Sequence, residues 1–517
     1  MATHKPFARA RARVSWCALL AISAACTDLR SEDERALLDG SAATGGDSSA
    51  GMSGQGGSSG AGMSDAGGDS GGSGGAGSGA GGSGGSSAMN DASTGDGQVD
   101  ESPSDAGQDA DSSTDPDDPI RGRVIDYFGN PVPDALVACN DVTTSSDEDG
   151  EFELPSVPEG AYSISVMVEV ERVDGTERAG YLFVGLTHRN PTLQVVRGLT
   201  EERGDITGNV DGVTFPLSST EQIPFDYAAT HGGVSGVLVS DGESLTAAWD
   251  GPGEVLGDVH AIRLERAAGA PQLPTDYLAH DAAPLAVAAG SDTSFTLDLS
   301  SSGGLTTETV SGNVTGFGPG SRRNHVYVRF IDGAAVQVVD HDMPEAAYEY
   351  LVPSLPSSSI TVAAMRGNLA SPPYAVRYRA GLSPGVSGVD LDVPLPPTQV
   401  EPAHQAAGVD DTTVFSWTGP DVVYMFYAKR MGVLDYYYVI TTDKQVTLPL
   451  AEPGFPPLAA GETYFWYVAT HHEHATVNLA TEPGGYLDGY CTGRLRGPSL
   501  GSGAHTQTQL RSFSAAP

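Results

Sequence analysis

The sequence of 517 residues is poor in basic residues, and above all in lysine. It has 27 Lys and Arg residues against 66 Asp and Glu, which gives a net charge of −39. Only Lys5, Lys429 and Lys444 are lysines. Proteins that bind nucleic acid hold its phosphates with clustered Lys and Arg. The composition therefore argues against a nucleic-acid partner, and the acidic surface is interpreted as a source of solubility.

Cysteine is scarce as well. The four cysteines are Cys17, Cys26, Cys139 and Cys491, and the first two lie near the N-terminus. The other two cannot make a disulfide framework, and their spacing fits no metal-binding motif. Cys139 follows an apolar run and is predicted to be a small buried residue. The sequence predicts neither a metal ligand nor a cofactor.

Long apolar runs are also missing. The stretch from Val14 to Ala25 has about a dozen residues, whereas a membrane-spanning helix needs roughly 20. It is preceded by a basic segment with Lys5, Arg9, Arg11 and Arg13. A basic segment followed by a short apolar stretch is typical of an export signal, so residues 1–25 are predicted to be a signal peptide.

The apolar stretch ends in Ser23-Ala24-Ala25-Cys26. Small residues before a cysteine resemble a bacterial lipobox, in which the thiol carries the lipid, although Leu is usual where Ser23 stands. We therefore predict an exported protein whose partner is the membrane, anchored by a lipid on Cys26 at the bacterial outer membrane or cell surface. The alternative is ordinary signal-peptidase cleavage, which would leave Cys26 as the first residue of a secreted protein.

Residues 26–119 are mostly Gly, Ser, Ala and Asp, and no basic residue occurs between Arg35 and Arg121. Such a composition buries too little apolar surface to offset the entropy of ordering, so a disordered stalk is predicted. The string Gly68-Asp-Ser70-Gly-Gly72 spells a serine-protease nucleophile motif. It falls inside this tract, where no fold would position a base or an oxyanion hole.

From Ile120 onward, alternating strand patterns separated by Gly, Pro, Asn and Asp predict an all-β fold of tandem β-sandwich domains. Three stretches open with an apolar–x–Gly–x–Val pattern, which predicts a diverged internal repeat. These stretches are Ile120–Val124, Ile206–Val210 and Val310–Val314. The predicted sandwiches span residues 120–200, 201–303, 304–399 and 400–517, with a proline-rich joint at Pro394–Pro397 before the last.

The first block carries a recognisable set of motifs. They are Gly122–Asp126, Gly129–Val137, Ser146–Phe152 and Val157–Tyr162. Together they resemble the carboxypeptidase regulatory-like family, and the resemblance implies a transthyretin-like sandwich. It implies no catalysis, because the peptidase of that family lies outside this module. Phe152, Leu154, Tyr162, Ile164 and Val166 alternate and are predicted to face the core. Asp147–Asp149 is predicted to be a solvated turn rather than a calcium site.

The fourth block resembles a fibronectin type III domain through Val414–Trp417 and Leu458–Val468. The resemblance implies that the Tyr464 hydroxyl bonds to upstream backbone, while Trp466 and Val468 point into the core. The block departs from that family in a Gly-rich insertion between His471 and His505. Its final strand is predicted at Thr508–Phe513.

Side chains with chemical potential are few, and no catalytic residue is predicted. His471–His474 concentrates metal-ligand types but is interpreted as a polar loop at a strand end, because zinc sites usually draw on spaced ligands. Asp340-His341-Asp342 is predicted to be a turn. One aromatic group could stack on sugar faces, with at most half its members available because alternate ones pack inward. Its members are Tyr424, Phe426, Tyr427, Tyr436, Tyr437 and Tyr438.

These observations predict a non-catalytic lipoprotein of the cell envelope that displays β-sandwich modules for binding or adhesion. Carbohydrate is the leading ligand class, because transthyretin-like and fibronectin-like modules often accompany polysaccharide recognition in other proteins. This is an analogy from the fold. The partner is thus polysaccharide or another envelope protein. The alternative is an accessory or structural subunit of a secreted hydrolase or peptidase system, and a third possibility is a spacer.

Overall fold

The computed structural model describes residues 119–483 and 502–517. Short gaps lie at 127–128, 156, 158–159, 173–174, 196–200, 230–231, 252, 301–302, 317–320, 343–344 and 369–370. The described chain is almost entirely β, which confirms the predicted fold class. No helix in these ranges is long and apolar enough to cross a membrane.

The first seven strands form a sandwich of two sheets. They are β1 (Ile120–Asp126), β2 (Leu136–Cys139), β3 (Val142–Ser145), β4 (Glu151–Leu154), β5 (Tyr162–Arg172), β6 (Gly175–Leu186) and β7 (Thr192–Val195). One sheet has the order β4-β1-β7, where β1 pairs antiparallel with β4 and parallel with β7. The other runs β3-β2-β5-β6. The five alternating residues predicted to face inward all lie in the core between these sheets.

The next seven strands form the second sandwich. They are β8 (Glu201–Asp211), β9 (Glu221–Ala229), β10 (Gly232–Leu238), β11 (Glu243–Asp250), β12 (Val255–Arg266), β13 (Pro274–Val287) and β14 (Asp292–Asp298). Here β8 pairs antiparallel with β11 and parallel with β14. The strands β10-β9-β12-β13 make the facing half, joined to β11 only at one end of β10. Phe225, Trp249 and Phe295 lie in the core between the two halves.

The third sandwich is built in the same way. Its strands are β15 (Thr307–Thr315), β16 (Arg322–Phe330), β17 (Ala335–His341), β18 (Ala347–Pro353), β19 (Ser358–Asn368), β20 (Ser371–Leu382) and β21 (Leu391–Asp392). Strand β15 pairs antiparallel with β18 and parallel with β21. The facing strands run β17-β16-β19-β20.

One pairing scheme therefore occurs three times, and the apolar–x–Gly–x–Val pattern marks the same strand in each copy: β1, β8 and β15. The glycine of the pattern lies where atoms of a neighbouring segment come so close that a side chain would not fit. A Cβ on Gly122 would sit 2.4 Å from Cζ of Phe152, and one on Gly208 would sit 2.8 Å from Cζ of Phe295. Gly312 meets backbone at the equivalent position. The motif thus has a packing function in all three sandwiches.

The remaining strands make the C-terminal sandwich. They are β22 (Thr398–Glu401), β23 (Ala406–Val409), β24 (Phe415–Thr418), β25 (Val423–Arg430), β26 (Asp435–Thr441), β27 (Gln445–Val446), β28 (Thr463–His471), β29 (Gly503–Gln507) and β30 (Arg511–Ala515), with one short helix, α1 (Val477–Ala480). The sheet β22-β24-β27 faces β25, β26 and β28 across a core that holds Trp417, Tyr464 and Trp466. The predicted last strand, Thr508–Phe513, is shifted: the last strand is β30, Arg511–Ala515, which shares Arg511–Phe513 with the prediction.

Three of the sandwiches share one sheet of 14 strands. Strand β6 of the first sandwich pairs in parallel with β26, and β20 of the third pairs antiparallel with β29. The spatial order is therefore third, C-terminal, first, which differs from the order along the chain. Edge strands carry unpaired backbone groups that favour such additions. The sequence pattern predicted tandem sandwiches but did not predict that three of them share a sheet.

Candidate functional site

A polar cleft of about 530 Å³ lies on the first sandwich, along its three-stranded sheet. Its lining comes from β1, β4 and the start of β7 with the two residues before it, together with Ser145 at the end of β3 and Asp147 in the turn before β4. The lining residues are Arg121, Gly122, Arg123, Ser145, Asp147, Glu151, Phe152, Glu153, Asn190, Pro191 and Thr192. Charged and hydrogen-bonding side chains dominate this set.

The alternation of the strands brings the charged side chains to one surface. Arg121 lies opposite Glu153 on β4, and Arg123 lies opposite Glu151. Between these two pairs, Phe152 lies opposite Gly122, and its side chain points to the other side of the sheet. There it is buried over the glycine. Since successive side chains of a strand face opposite sides, the motif that fixes the core also fixes the positions of these charges.

Hydrogen bonds hold the cleft in shape. Nε of Arg121 donates to Oε2 of Glu153 at 3.0 Å, and both side chains are largely exposed. Nε of Arg123 donates to the Asp149 carbonyl at 2.8 Å. Asp147 Oδ1 accepts from the backbone of Asp149 and of Glu151. The turn at Asp147–Asp149 is therefore closed by its own side chain, as a solvated turn requires.

The cleft can donate and accept hydrogen bonds, but it offers neither sign of charge in large excess. It has two guanidinium groups, three carboxylates, one carboxamide and two hydroxyls. A hydroxyl-rich ligand, which both donates and accepts, matches such a mixture better than a polyanion does.

The residues at 471–474 form a turn at the end of β28, as predicted. His471 is buried, and its Nδ1 lies 3.5 Å from Oε1 of Glu473. Although burial opposes ionisation of Glu473, its hydrogen bond with His471 and the charge of that imidazole lower its pKa to about 2. Burial lowers the pKa of His472 to about 4 and that of His505 well below its usual value. Within the ranges described, no three His, Cys, Asp or Glu side chains are arranged to hold a metal ion.

The aromatic group does not form a sugar-binding surface. Tyr427 is half-buried, and the other five members are buried. The expectation that at most half would be available holds as an upper limit, because both faces of the β25–β26 pair are covered and five of the six side chains are buried. Tyr436 and Tyr438 pack into the core of the first sandwich, whereas Tyr424 and Tyr437 pack into that of the C-terminal sandwich.

Other predicted positions have mixed outcomes. Cys139 is buried as predicted, and burial raises the pKa of its thiol. The backbone N–H of Ala459 donates to the Tyr464 hydroxyl oxygen at 2.9 Å, which is the upstream contact expected there. The turn predicted at Asp340-His341-Asp342 is wrong, because β17 extends through His341. Asp340 and Asp342 both pair with Arg323.

The proposed lipid attachment at Cys26 and the Gly68–Gly72 string lie outside the described residues. The cleft itself was missed by sequence reasoning. One feature of the sequence did indicate a charged face. Charged residues alternate with uncharged ones at Arg121 and Arg123 and again at Glu151 and Glu153, which places each pair on one side of its strand. Nothing in the sequence placed Asn190 beside them, since that contact depends on the parallel pairing of β1 with β7.

Comparisons with known proteins agree with the fold of this region. Residues 119–181 match the family model of the carboxypeptidase regulatory-like domain, which confirms that resemblance for the first sandwich. A comparison with curated proteins finds no match.

Solved structures show distant likeness. The Bacillus anthracis TIE protein is 10% identical with a TM-score of 0.14, over 53% of this chain and 50% of that chain. The chain thus spans about half the length of that protein. A streptococcal ancillary pilin is 10% identical with a TM-score of 0.13, over 53% of this chain and 99% of that one. The FN1–FN3 domains of chicken CNTN1 are 10% identical with a TM-score of 0.12, over 52% of this chain and 93% of that one.

Proposed function

We propose that this protein is a non-catalytic lipoprotein of a bacterial cell envelope, anchored through Cys26, that displays its β-sandwiches to bind carbohydrate. The observation that carries the proposal is the cleft on the first sandwich. It combines guanidinium, carboxylate, carboxamide and hydroxyl groups on a rigid sheet. Sugar hydroxyls both donate and accept hydrogen bonds, so a saccharide would satisfy these groups together.

The C-terminal sandwich is proposed to be fibronectin type III-like, and its role is to support the other modules. The Ala459–Tyr464 hydrogen bond and the buried Trp417 and Trp466 support this assignment. Its aromatic residues are used in two cores, which leaves the binding role to the first sandwich. The match of residues 119–181 to the carboxypeptidase regulatory-like domain supports a role in binding rather than in turnover.

The binding proposal is tested by titrating the full chain with a panel of soluble polysaccharides. Asn190→Ala and Arg121→Ala remove cleft hydrogen bonds and should weaken binding about fivefold to tenfold each. Arg379→Ala, an exposed arginine of β20, is the matched control and should leave affinity unchanged. Palmitate labelling of the wild type and of Cys26→Ser checks the anchor.

Sugar binding that survives both cleft variants would contradict this assignment of the site. If no sugar binds and one hydrolase or peptidase is captured in stoichiometric amount from the secreted proteins, the accessory role is the better description.

A further inference from the structure

Three aromatic rings and a carboxylate meet where the second sandwich contacts the third. His260 on β12 and His280 on β13 come from the second sandwich. Phe330 and Asp332 come from the end of β16 and the turn after it in the third. The His260 ring stacks on Phe330 with centroids 3.9 Å apart, and the His280 ring stacks on the same phenyl at 5.0 Å.

The two imidazoles are joined edge to edge. Nδ1 of His260 lies 3.2 Å from Nε2 of His280, while the ring centroids are 5.5 Å apart and the planes differ by 23°. On its other side, Nε2 of His260 lies 2.6 Å from Oδ2 of Asp332. Because an ionised carboxylate only accepts hydrogen bonds, His260 donates from Nε2 and must accept at Nδ1 when it is neutral. His280 then donates its Nε2 proton to His260.

This chain of hydrogen bonds tolerates one additional proton but not two. With one, a single hydrogen still lies between the two facing nitrogens. With both rings cationic, two N–H groups would face each other across 3.2 Å, and two positive charges would repel. We propose that protonation of this histidine pair loosens the contact between the second and third sandwiches in acid, so that the contact acts as a pH-sensitive latch.

Four carboxylates lie near the pair, and Arg266 of β12, which donates to the Val338 carbonyl of the third sandwich at 3.2 Å, lies in the same contact. Asp281 and Asp332 act on His280, Asp226 lies opposite His260 on β9, and Asp258 precedes His260 by two residues on β12. Asp281 and Asp332 favour protonation of His280, but burial outweighs them. Burial, followed by the charge of His260, lowers the pKa of His280 to about 4.

The sign of the pH effect follows from that shift. A histidine exposed by opening of the contact regains an ordinary pKa near 6.5. The open state therefore binds more protons between about pH 6.5 and pH 4, and the closed state loses stability as the pH falls through this window. The closed contact is fully favoured above it.

A direct reporter of the contact exists. The Ala335 N–H of the third sandwich donates to Oδ2 of Asp226 in the second at 2.8 Å, and both residues are buried. Opening the contact removes this acceptor, so hydrogen exchange at the Ala335 amide measures the open fraction. Amides of the β16–β19 pair, inside the third sandwich, serve as the internal reference.

The experiment compares exchange of the full chain at pH 7 and pH 4.5, corrected for the intrinsic exchange rate. We expect the protection of Ala335 relative to the reference to fall at least tenfold in the wild type. His280→Gln keeps a donor without a titrating ring and should show no such fall. His280→Lys places a permanent cation there and should lower protection already at pH 7.

His341→Gln is the matched control. His341 is a half-buried histidine at the end of β17 in the third sandwich, its Nδ1 lies 3.1 Å from the Tyr350 hydroxyl, and burial lowers its pKa as well. In this variant, the protection of the Ala335 amide should fall between pH 7 and pH 4.5 as much as it does in the wild type. An equal loss of protection in wild type and His280→Gln, or no loss in the wild type, would overturn the proposal.

Discussion

At the scale of single residues, glycine in the repeated motif explains more of the fold than any charged residue does. Gly312 shows this most sharply. A Cβ there would lie 2.0 Å from the carbonyl oxygen of Val389 and 2.5 Å from its carbonyl carbon. Both are backbone atoms that cannot move aside, and the Val389 N–H is itself held by the Ser311 carbonyl at 3.0 Å.

Gly312→Ala is therefore expected to lower the free energy of unfolding by about 1–3 kcal/mol, as overpacking of a close contact does. Ser311→Ala, at the neighbouring half-exposed position, is the control and should change it by no more than about 0.5 kcal/mol. Urea unfolding followed by circular dichroism measures both. Equal stabilities for the two variants would show that the strand can shift to make room.

Clusters of one residue type in the sequence were a poor guide to the functional site. His471–His474 and the tyrosines near position 437 attract attention in a sequence because they are concentrated. In the folded chain, the tyrosines at 436–438 and His471 are buried, whereas His472 and His474 are half-buried and Glu473 is exposed. The cleft residues are ordinary surface types, and their proximity depends on strand pairing between segments about 70 residues apart.

At the scale of elements, the strand pattern of each sandwich was predictable, whereas the joining of sandwiches was not. Alternation in β4 and β5 identified the core-facing residues, because one face of each strand is apolar and the other polar. Strands β25 and β26 are buried on both faces, so their aromatic side chains gave no such contrast. Continuous apolar strands of this kind indicate a covered sheet without revealing what covers it.

The β6–β26 contact between the first and C-terminal sandwiches includes a buried ion pair. Asp435 is 1% exposed, and its Oδ1 accepts from Nε and Nη2 of Arg178 at 2.9 and 2.8 Å. The Arg178 N–H also donates to the Leu434 carbonyl across the contact. These bonds fix the register of a parallel pair formed by strands that are far apart in sequence.

Asp435→Asn should destabilise the protein by about 1–3 kcal/mol, less than a fully buried pair would, because the Arg178 side chain is 39% exposed. Asp421→Asn, which breaks the exposed pair with Lys444, is the matched control and should leave the unfolding temperature nearly unchanged. Thermal unfolding of both variants measures the difference. An Asp435→Asn protein as stable as the control would mean that the ion pair adds nothing to the contact.

At the scale of the whole molecule, three sandwiches each contribute strands to one sheet. The core of the first sandwich also continues into the C-terminal one. The core of the first sandwich includes Val423, Met425 and Ile440 from the C-terminal strands. Chain order gave no indication of this, because pairing of β6 with β26 joins residues more than 250 positions apart. A ligand held in the cleft of the first sandwich would therefore be carried on a body larger than one domain.

The second sandwich is joined differently. Its contact with the third uses side chains, including the Tyr277 hydroxyl, which donates to the Leu351 carbonyl at 2.9 Å, and the histidine pair. No strand of its sheet pairs with another sandwich among the residues described. Side-chain contacts of this kind can respond to pH, whereas the shared sheet is held by backbone hydrogen bonds that do not titrate.

The shared sheet is the central claim, and scanning calorimetry of three core variants tests it most directly. Leu154→Ala, Phe426→Leu and Val362→Ala each remove buried volume from one sandwich: the first, the C-terminal and the third respectively. If the sheet couples the three, all of these variants lower the temperature of the same unfolding transition. Three separate transitions, each shifted only by the variant in its own sandwich, would contradict the account and show that the three sandwiches unfold independently.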